Sequence, residues 1–342
     1  MTEKTTLMRQ EIEEIPAAVE RLLSNGGEAL AAAAEVARSG GIKFMVSAAR
    51  GSSDHACTFL KYASELLLGL PMASVGPSVA SVYGADLHVA GALCLSVSQS
   101  GKSPDIVQLT RSAREAGAST VAITNDPSSP LAAAAEAALP LHAGPELSVA
   151  ATKTFVTSLV SGLWLLAELK GDTDLLAALH KLPEHLDEAT RCDWSAAASA
   201  ISRSSLFTLG RGPSMAISNE AALKFKETCQ IHAESYSSAE VLHGPVSIVE
   251  GGFPVIAFAA NDPAEPLLAE VADTLATKGA QVFATSPLVT KANVLPHART
   301  DHWLTDPVTA IVSFYAMVEQ VAAQRGINPD APRHLRKVTE TV

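Results

Sequence analysis

Through residues 1–40 apolar positions recur at helical spacing between charged ones, first in an acidic amphipathic stretch and then in the Ala-rich run Ala29 to Arg38. That pattern predicts helix, closed by Gly40-Gly41. The period then changes. Ile42-Lys43-Phe44-Met45-Val46 is a short apolar run that leads into the small residues Ser47 to Ser53, with a helical pattern from Ala56 to Leu68. Leu93 to Val97 repeats the form and leads into Ser98-Gln99-Ser100-Gly101. The next helix, Pro104 to Ala116, carries Ile106, Leu109 and Ala113 on one face, and Thr120 to Thr124 is a third strand ending at Asn125-Asp126-Pro127. Strands alternating with helices predict a parallel α/β sheet covered on both faces.

The second half starts the pattern again. Leu206 to Ser214 mirrors Phe44 to Ser52, so Arg50 and Arg211 stand 161 apart. Gly84 and Gly244, and Gly91 and Gly251, are each 160 apart; Gly117 and Gly279 are 162 apart. Landmarks at offsets of 160–162 predict two tandem, doubly wound parallel-sheet domains of similar fold, too long a repeat for a solenoid. The expected organisation is a helical segment at 1–40, a first domain at 41–183, a second at 184–328 and a tail at 329–342. The join is expected near the polar, Pro-marked Leu182-Pro183.

Composition narrows the class. The chain has 342 residues, 47% apolar and 18% charged, which argues against disorder. The low charged fraction also hints at surface buried against another copy. A formal net charge of −11 makes the chain a poor binder of nucleic acid or anionic membrane, and leaves open a local basic loop for one small anion. Cys57, Cys94, Cys192 and Cys229 are scattered without a CxxC, as expected of reduced thiols in a cytoplasmic protein. Met1 to Glu14 shows no basic stretch followed by an apolar one, so no signal peptide is expected, and the most apolar stretch, Phe155 to Leu169, falls short of the ~20 residues a membrane span needs.

Several residues could carry chemistry. Ser98-Gln99-Ser100-Gly101-Lys102-Ser103 lies where a strand ends and a helix begins, the place where unpaired N–H groups and the helix dipole favour a phosphate. Small hydroxyl residues are also ordinary helix caps. Gly51-Ser52-Ser53 ends another strand by the same logic, with a cap at Ser52 or Ser53 as the alternative. The second-half counterpart of the Ser-rich loop, Ala259 to Pro263, has lost its hydroxyls, so phosphate is expected in the first copy only. Lys224 and Glu227 share a helix face, as a proton-shuttling carboxylate or as a solvated surface. His243 occupies a turn and could move protons or be structural. Lys337, in a basic tail, could be an amine nucleophile, a charge clamp or solvent-facing. No HExxH or His/Cys cluster suggests a metal.

Assembled, these motifs resemble the sugar isomerase (SIS) superfamily. The resemblance runs through Ser98-Gln99-Ser100-Gly101, Val149-Ala150-Ala151-Thr152-Lys153, Ile231-His232-Ala233-Glu234, Leu242-His243-Gly244-Pro245 and Pro332 to Lys337. It covers roughly residues 40–342 and is similar to the isomerase half of glucosamine-6-phosphate synthase. It implies flavodoxin-like domains. It assigns phosphate to Ser98, Gln99, Ser100 and Ser103, with Ser53 and its neighbours Gly51 and Ser52. Val149 and Ala151 join the substrate-binding set; Ala151 stands where the synthase has a sugar-contacting serine. Glu227 becomes the proton shuttle, His243 the ring-opening group, Lys337 the lysine that engages the sugar carbonyl and Lys224 a second site lysine. The tail is then expected to close the site.

The synthase carries a glutaminase nucleophile directly after Met1. Here Thr2 follows and the first cysteine is Cys57, so ammonia from glutamine is not expected. The chain looks most like the SIS-type deaminases, which convert glucosamine 6-phosphate to fructose 6-phosphate and ammonia without metal or cofactor. Alternatives are an aminating isomerase fed by other ammonia, a fructosamine-6-phosphate deglycase and, from another class, a non-catalytic sugar-phosphate sensor. The expected partners are the sugar phosphate and a second copy of the chain, with His243 donated across a homodimer; neither nucleic acid nor membrane is expected.

Overall fold

The computed structural model describes residues 5–337; positions 1–4 of the expected N-terminal segment and 338–342 of the expected tail lie outside the described residues. Three helices open the chain: α1 (Leu7–Glu13), α2 (Ile15–Asn25) and α3 (Gly27–Ser39). The first repeat follows as β1 (Phe44–Ala48), α4 (Ser52–Leu68), β2 (Met72–Ser74), α5 (Ser78–Ser81), β3 (Ala92–Val97), α6 (Pro104–Glu115), β4 (Ser119–Thr124), α7 (Pro130–Ala134), β5 (Ala137–Pro140) and α8 (Lys153–Lys170). Its strands are all parallel, in the order β2-β1-β3-β4-β5. Every residue of β3 is buried, as a central parallel strand covered on both faces requires. Residues Lys153 to Ala167 of α8 are likewise buried throughout.

Next come α9 (Thr173–Thr190) and α10 (Ser195–Ala200). The second repeat runs β6 (Ser205–Gly210), α11 (Ser214–Cys229), β7 (His232–Ser237), β8 (Pro254–Ala257), α12 (Glu265–Thr277), β9 (Gln281–Ala284), β10 (Asn293–Val294) and α13 (Asp306–Gln324). Its parallel sheet is ordered β10-β9-β8-β6-β7. Counted within each sheet, both read 2-1-3-4-5, the flavodoxin-like order. The repeat is therefore one of topology as well as of sequence.

Two features differ from the sequence expectation. Leu182-Pro183 is no linker: Pro183 lies inside α9. Proline in a helix interior costs about 3 kcal/mol, but Leu175, Leu179, Leu182 and Leu186 form a fully buried stripe that holds the helix together across it. The compact units are also discontinuous in sequence. One comprises residues 5–16, Leu147–Thr152 and Lys181–Leu335; the other comprises Ala17–Glu146, Lys153–His180 and residues 336–337. Residues 5–40 are thus shared out. In the first of these units Arg9 pairs with Glu319 of α13 at 2.6 Å, and the Leu7 and Met8 amides donate to Asp330 at 2.8 Å each.

Candidate active site

The first sheet places two loops side by side. Ala48 of β1 is in register with Ser96 of β3, so residues 49–53 and 98–103 leave adjacent strands at the carboxyl edge, at the point where strand order reverses. An ion pair joins them: Arg50, after β1, meets Asp105 in the first turn of α6, a carboxylate with no solvent exposure. A buried carboxylate beside an anion site would repel the anion; the guanidinium neutralises it and is itself nearly half exposed.

Within the Ser-rich loop the Ser98 hydroxyl oxygen accepts the Gly101 amide at 3.2 Å, and that of Ser100 accepts the Lys102 amide at 3.3 Å. Those oxygens shape the turn, and each hydroxyl keeps its proton to donate outward. Ser103 is the N-cap residue of α6 but makes no side-chain capping bond. The loop is fixed from beneath: the Gln99 carbonyl accepts the Asn125 amide at 3.1 Å and the Thr124 hydroxyl at 3.3 Å, and the Gly101 carbonyl accepts the Leu131 amide at 3.0 Å. Gly101 has φ +62°, and a Cβ there would lie 2.1 Å from Ser129 Oγ. Lys102 is exposed, 3.8 Å from Asp126. In the neighbouring loop the N-cap of α4 is Gly51, at φ 56°, and Ser52 and Ser53 already lie in the helix. The cap expected at Ser52 or Ser53 is therefore displaced by the residue that tolerates positive φ.

The corresponding edge of the second sheet is filled by the chain itself. After β8, Arg299 pairs with Glu265 and, at 3.1 Å, with Asp306, and donates to the Ala259 and Thr285 carbonyls at 3.3 and 3.1 Å. Asp306 also accepts the Asn261 amide at 2.8 Å. Where the first sheet presents hydroxyls, the second has its own guanidinium seated among carboxylates.

Helix α11 carries the charged group. Lys224 is fully buried, 2.5 Å from Glu227 and 3.1 Å from Glu220. Tyr315 of α13 donates to Glu220 at 3.0 Å. Burial alone would strip the lysine of its proton, but Glu220 and then Glu227 outweigh it and raise its pKa above the ordinary lysine value. The solvated-face reading does not fit: Glu220 and Lys224 are inside, and the Glu227 side chain is 21% exposed. His243 stands on an exposed turn before Gly244 (φ 139°), its amide donating to the Glu240 carbonyl at 2.8 Å.

In Leu147–Thr152, burial alternates. Ser148, Ala150 and Thr152 face in, and Val149 and Ala151 are half-buried. Buried Glu11 of α1 holds the segment, accepting the Leu147 amide, the Ser148 amide at 3.2 Å and the Ser148 hydroxyl. Lys337 meets Glu146 at 2.7 Å, away from solvent on the glutamate side. Sequence reasoning missed Glu11, Glu146, Glu220 and Tyr315. Two left a trace: Glu220 stands four residues before Lys224 on the same helical stretch, and Glu146 is the one acidic residue between Glu136 and Lys153.

The thiols of Cys57, Cys94 and Cys229 are buried, and burial pushes each pKa up, to about 11 for Cys94 and Cys229. Among the described residues no group of three or more His, Cys, Asp or Glu side chains is arranged to hold a metal, and no helix is long and apolar enough to cross a membrane.

Residues 43–168 and 201–324 match the SIS domain profile. A glutamine–fructose-6-phosphate aminotransferase (isomerizing) from Methanothermobacter thermautotrophicus is 31% identical over 341 residues, 96% of this chain and 56% of that protein. The chain spans about half the length of the curated relatives it matches. Among solved structures, a protein assigned as a phosphosugar isomerase from Silicibacter pomeroyi superposes with a TM-score of 0.92 at 64% identity, covering 95% of this chain and 100% of that one. The C-terminal domain of glucosamine-fructose-6-phosphate aminotransferase from Francisella tularensis gives 0.85 at 26% identity, covering 96% and 99%.

Proposed function

The chain belongs to the SIS domain family, and on that premise we propose that it is a sugar-phosphate aldose–ketose isomerase acting on an amino sugar, converting glucosamine 6-phosphate and water to fructose 6-phosphate and ammonia. The observation that carries this reading is the 2.5 Å contact between Lys224 and a partly exposed Glu227. A buried ammonium that stays charged fixes one carboxylate oxygen and leaves the other for substrate.

In this reading the 98–103 loop, with Gly51, Ser52 and Ser53, takes the phosphate, and its binding energy positions the remote carbons. Val149 and Ala151 contact the sugar. His243 opens the pyranose to the aldehyde. Glu227 removes the proton from C2 and returns it to C1, while an amine proton passes to O1. The product is a C1 alcohol and a C2 imine. Water adds to C2, ammonia leaves, and the C2 carbonyl of fructose 6-phosphate remains. Lys337 serves at the sugar carbonyl. The exposed position of His243 suits a residue that serves a second copy of the chain.

The opposite direction, amination of fructose 6-phosphate, is the second reading, favoured by the aminotransferase relative of 31% identity. Assaying both directions with free ammonium separates the two. Deamination is supported by release of ammonia from glucosamine 6-phosphate faster than the reverse reaction at equal substrate.

A further inference from the structure

The C-terminal tail ends its described course at a buried acid. Glu146 has a side chain with no solvent exposure and accepts from the Thr154 amide at 3.1 Å, the Thr154 hydroxyl at 2.7 Å and Lys337 Nζ at 2.7 Å. The first two fix the carboxylate against the first turn of α8, independently of the tail. Lys337 lies outside any helix or strand, just after a turn in which the Leu335 amide donates to the Pro332 carbonyl at 3.4 Å. One partner of the pair is preorganised and the other is brought to it. A desolvated carboxylate gains much from an ammonium and loses much without it.

We propose that Glu146 is the positioning residue for Lys337, docking the tail on the start of α8 through this ion pair. The inference rests on the reading of Lys337 as a site residue. Glu146 acts through Lys337 and touches no reacting atom in this account. Its loss lowers turnover because the lysine is no longer held in place, with little change in the affinity for phosphate, which the 98–103 loop supplies.

The tail carries its own reporter. Trypsin must take the Lys337 side chain into its specificity pocket to cut after it, so an ammonium held by Glu146 protects that bond. Arg333, exposed in the same tail, is the internal control. The experiment compares cleavage rates by mass spectrometry for the wild type and the variants E146Q, K337R and T154V, with steady-state kinetics on the same samples. E146Q should speed cleavage after residue 337 by about tenfold or more relative to Arg333, and lower kcat with KM within about threefold. K337R keeps the charge and should stay protected. T154V removes the Thr154 hydroxyl from Glu146; it should lower thermal stability yet leave the tail protected. The double variant E146Q/K337Q should be no slower than K337Q alone. Unchanged protection in E146Q, or an E146Q penalty that persists undiminished in the K337Q background, overturns the proposal. The protease readout needs no turnover. An enzyme that releases no ammonia but shows the protection pattern retires the deaminase reading and keeps the dock.

Discussion

Lys224 holds Glu227 at 2.5 Å from a position with no solvent exposure, and Glu220 completes the anchor from one turn earlier on α11. The contact fixes one Glu227 carboxylate oxygen and leaves the side chain 21% exposed, as the proposed role of base requires. Replacing it by glutamine keeps the size and a hydrogen-bonding oxygen but removes the base. E227Q should lose about 10²–10⁴-fold in turnover. Stabilisation of the protein by fructose 6-phosphate, read as a thermal shift, should remain within a degree or two of the wild-type shift. Normal turnover in E227Q would remove the proton-shuttle assignment.

K224M separates structure from chemistry in the same cluster. It leaves Glu220 buried without its counter-charge, and breaking a buried pair from one side costs about 3–5 kcal/mol. Equilibrium denaturation checks this. The pH behaviour has a definite sign. A lysine whose pKa is raised on folding stabilises fully below the ordinary lysine value, and that contribution fades only as pH climbs beyond it. Between about pH 6 and 9 the K224M penalty should therefore not fall as pH rises. A penalty that shrinks across that range would contradict the charged assignment.

The Ser98–Ser103 loop makes its own demand. Gly101 combines φ +62° with a Cβ position 2.1 Å from Ser129 Oγ, so G101A must both strain the backbone and push Ser129 aside. Strain of that kind costs about 1–3 kcal/mol, and the loop that presents Ser98, Ser100 and Ser103 shifts with it. If the loop holds the phosphate as proposed, S100A and S103A each remove one donor to a charged group, worth about 1.5–3 kcal/mol. KM should rise about ten- to hundredfold with kcat nearly unchanged, the signature of uniform binding. Titration with inorganic phosphate provides an independent check; equal affinity in wild type and S100A would place the phosphate elsewhere.

His243 can be tested by mixing. If the turn histidine serves the neighbouring copy, E227Q and H243N are each inactive, but a mixed dimer contains one site with both native groups. Unfolding and refolding an equimolar mixture should restore about a quarter of wild-type activity. A mixture as inactive as its parents would place His243 and Glu227 of the same chain in one site.

Much of this fold is legible in the sequence because parallel strands buried on both faces are written locally. The run Leu93 to Val97 became β3 (Ala92–Val97), and Thr120 to Thr124 became β4 (Ser119–Thr124). The shared offset of Arg50 and Arg211 reflected two sheets of one topology. The edge strand β2 (Met72–Ser74) and the two-residue β10 are too short to leave a period. Leu182-Pro183 misled because proline is a local breaker, whereas the buried leucine stripe that overrules it appears only on folding. The acids Glu11 and Glu146 were silent for a similar reason. Glu11 binds Ser148 across 137 positions and Glu146 binds Lys337 across 191, and a carboxylate shows nothing in sequence of the donors that will surround it. Lys224 and Glu227 were readable because their partnership spans three residues of one helix.

The account is tested most directly by incubating the purified chain with glucosamine 6-phosphate and measuring ammonia and fructose 6-phosphate in parallel. Equimolar appearance of the two, abolished in E227Q, is the predicted result. Binding of the sugar phosphate with neither product formed would contradict the proposed reaction and leave the Ser98–Ser103 loop as the binding site of a chain with another activity.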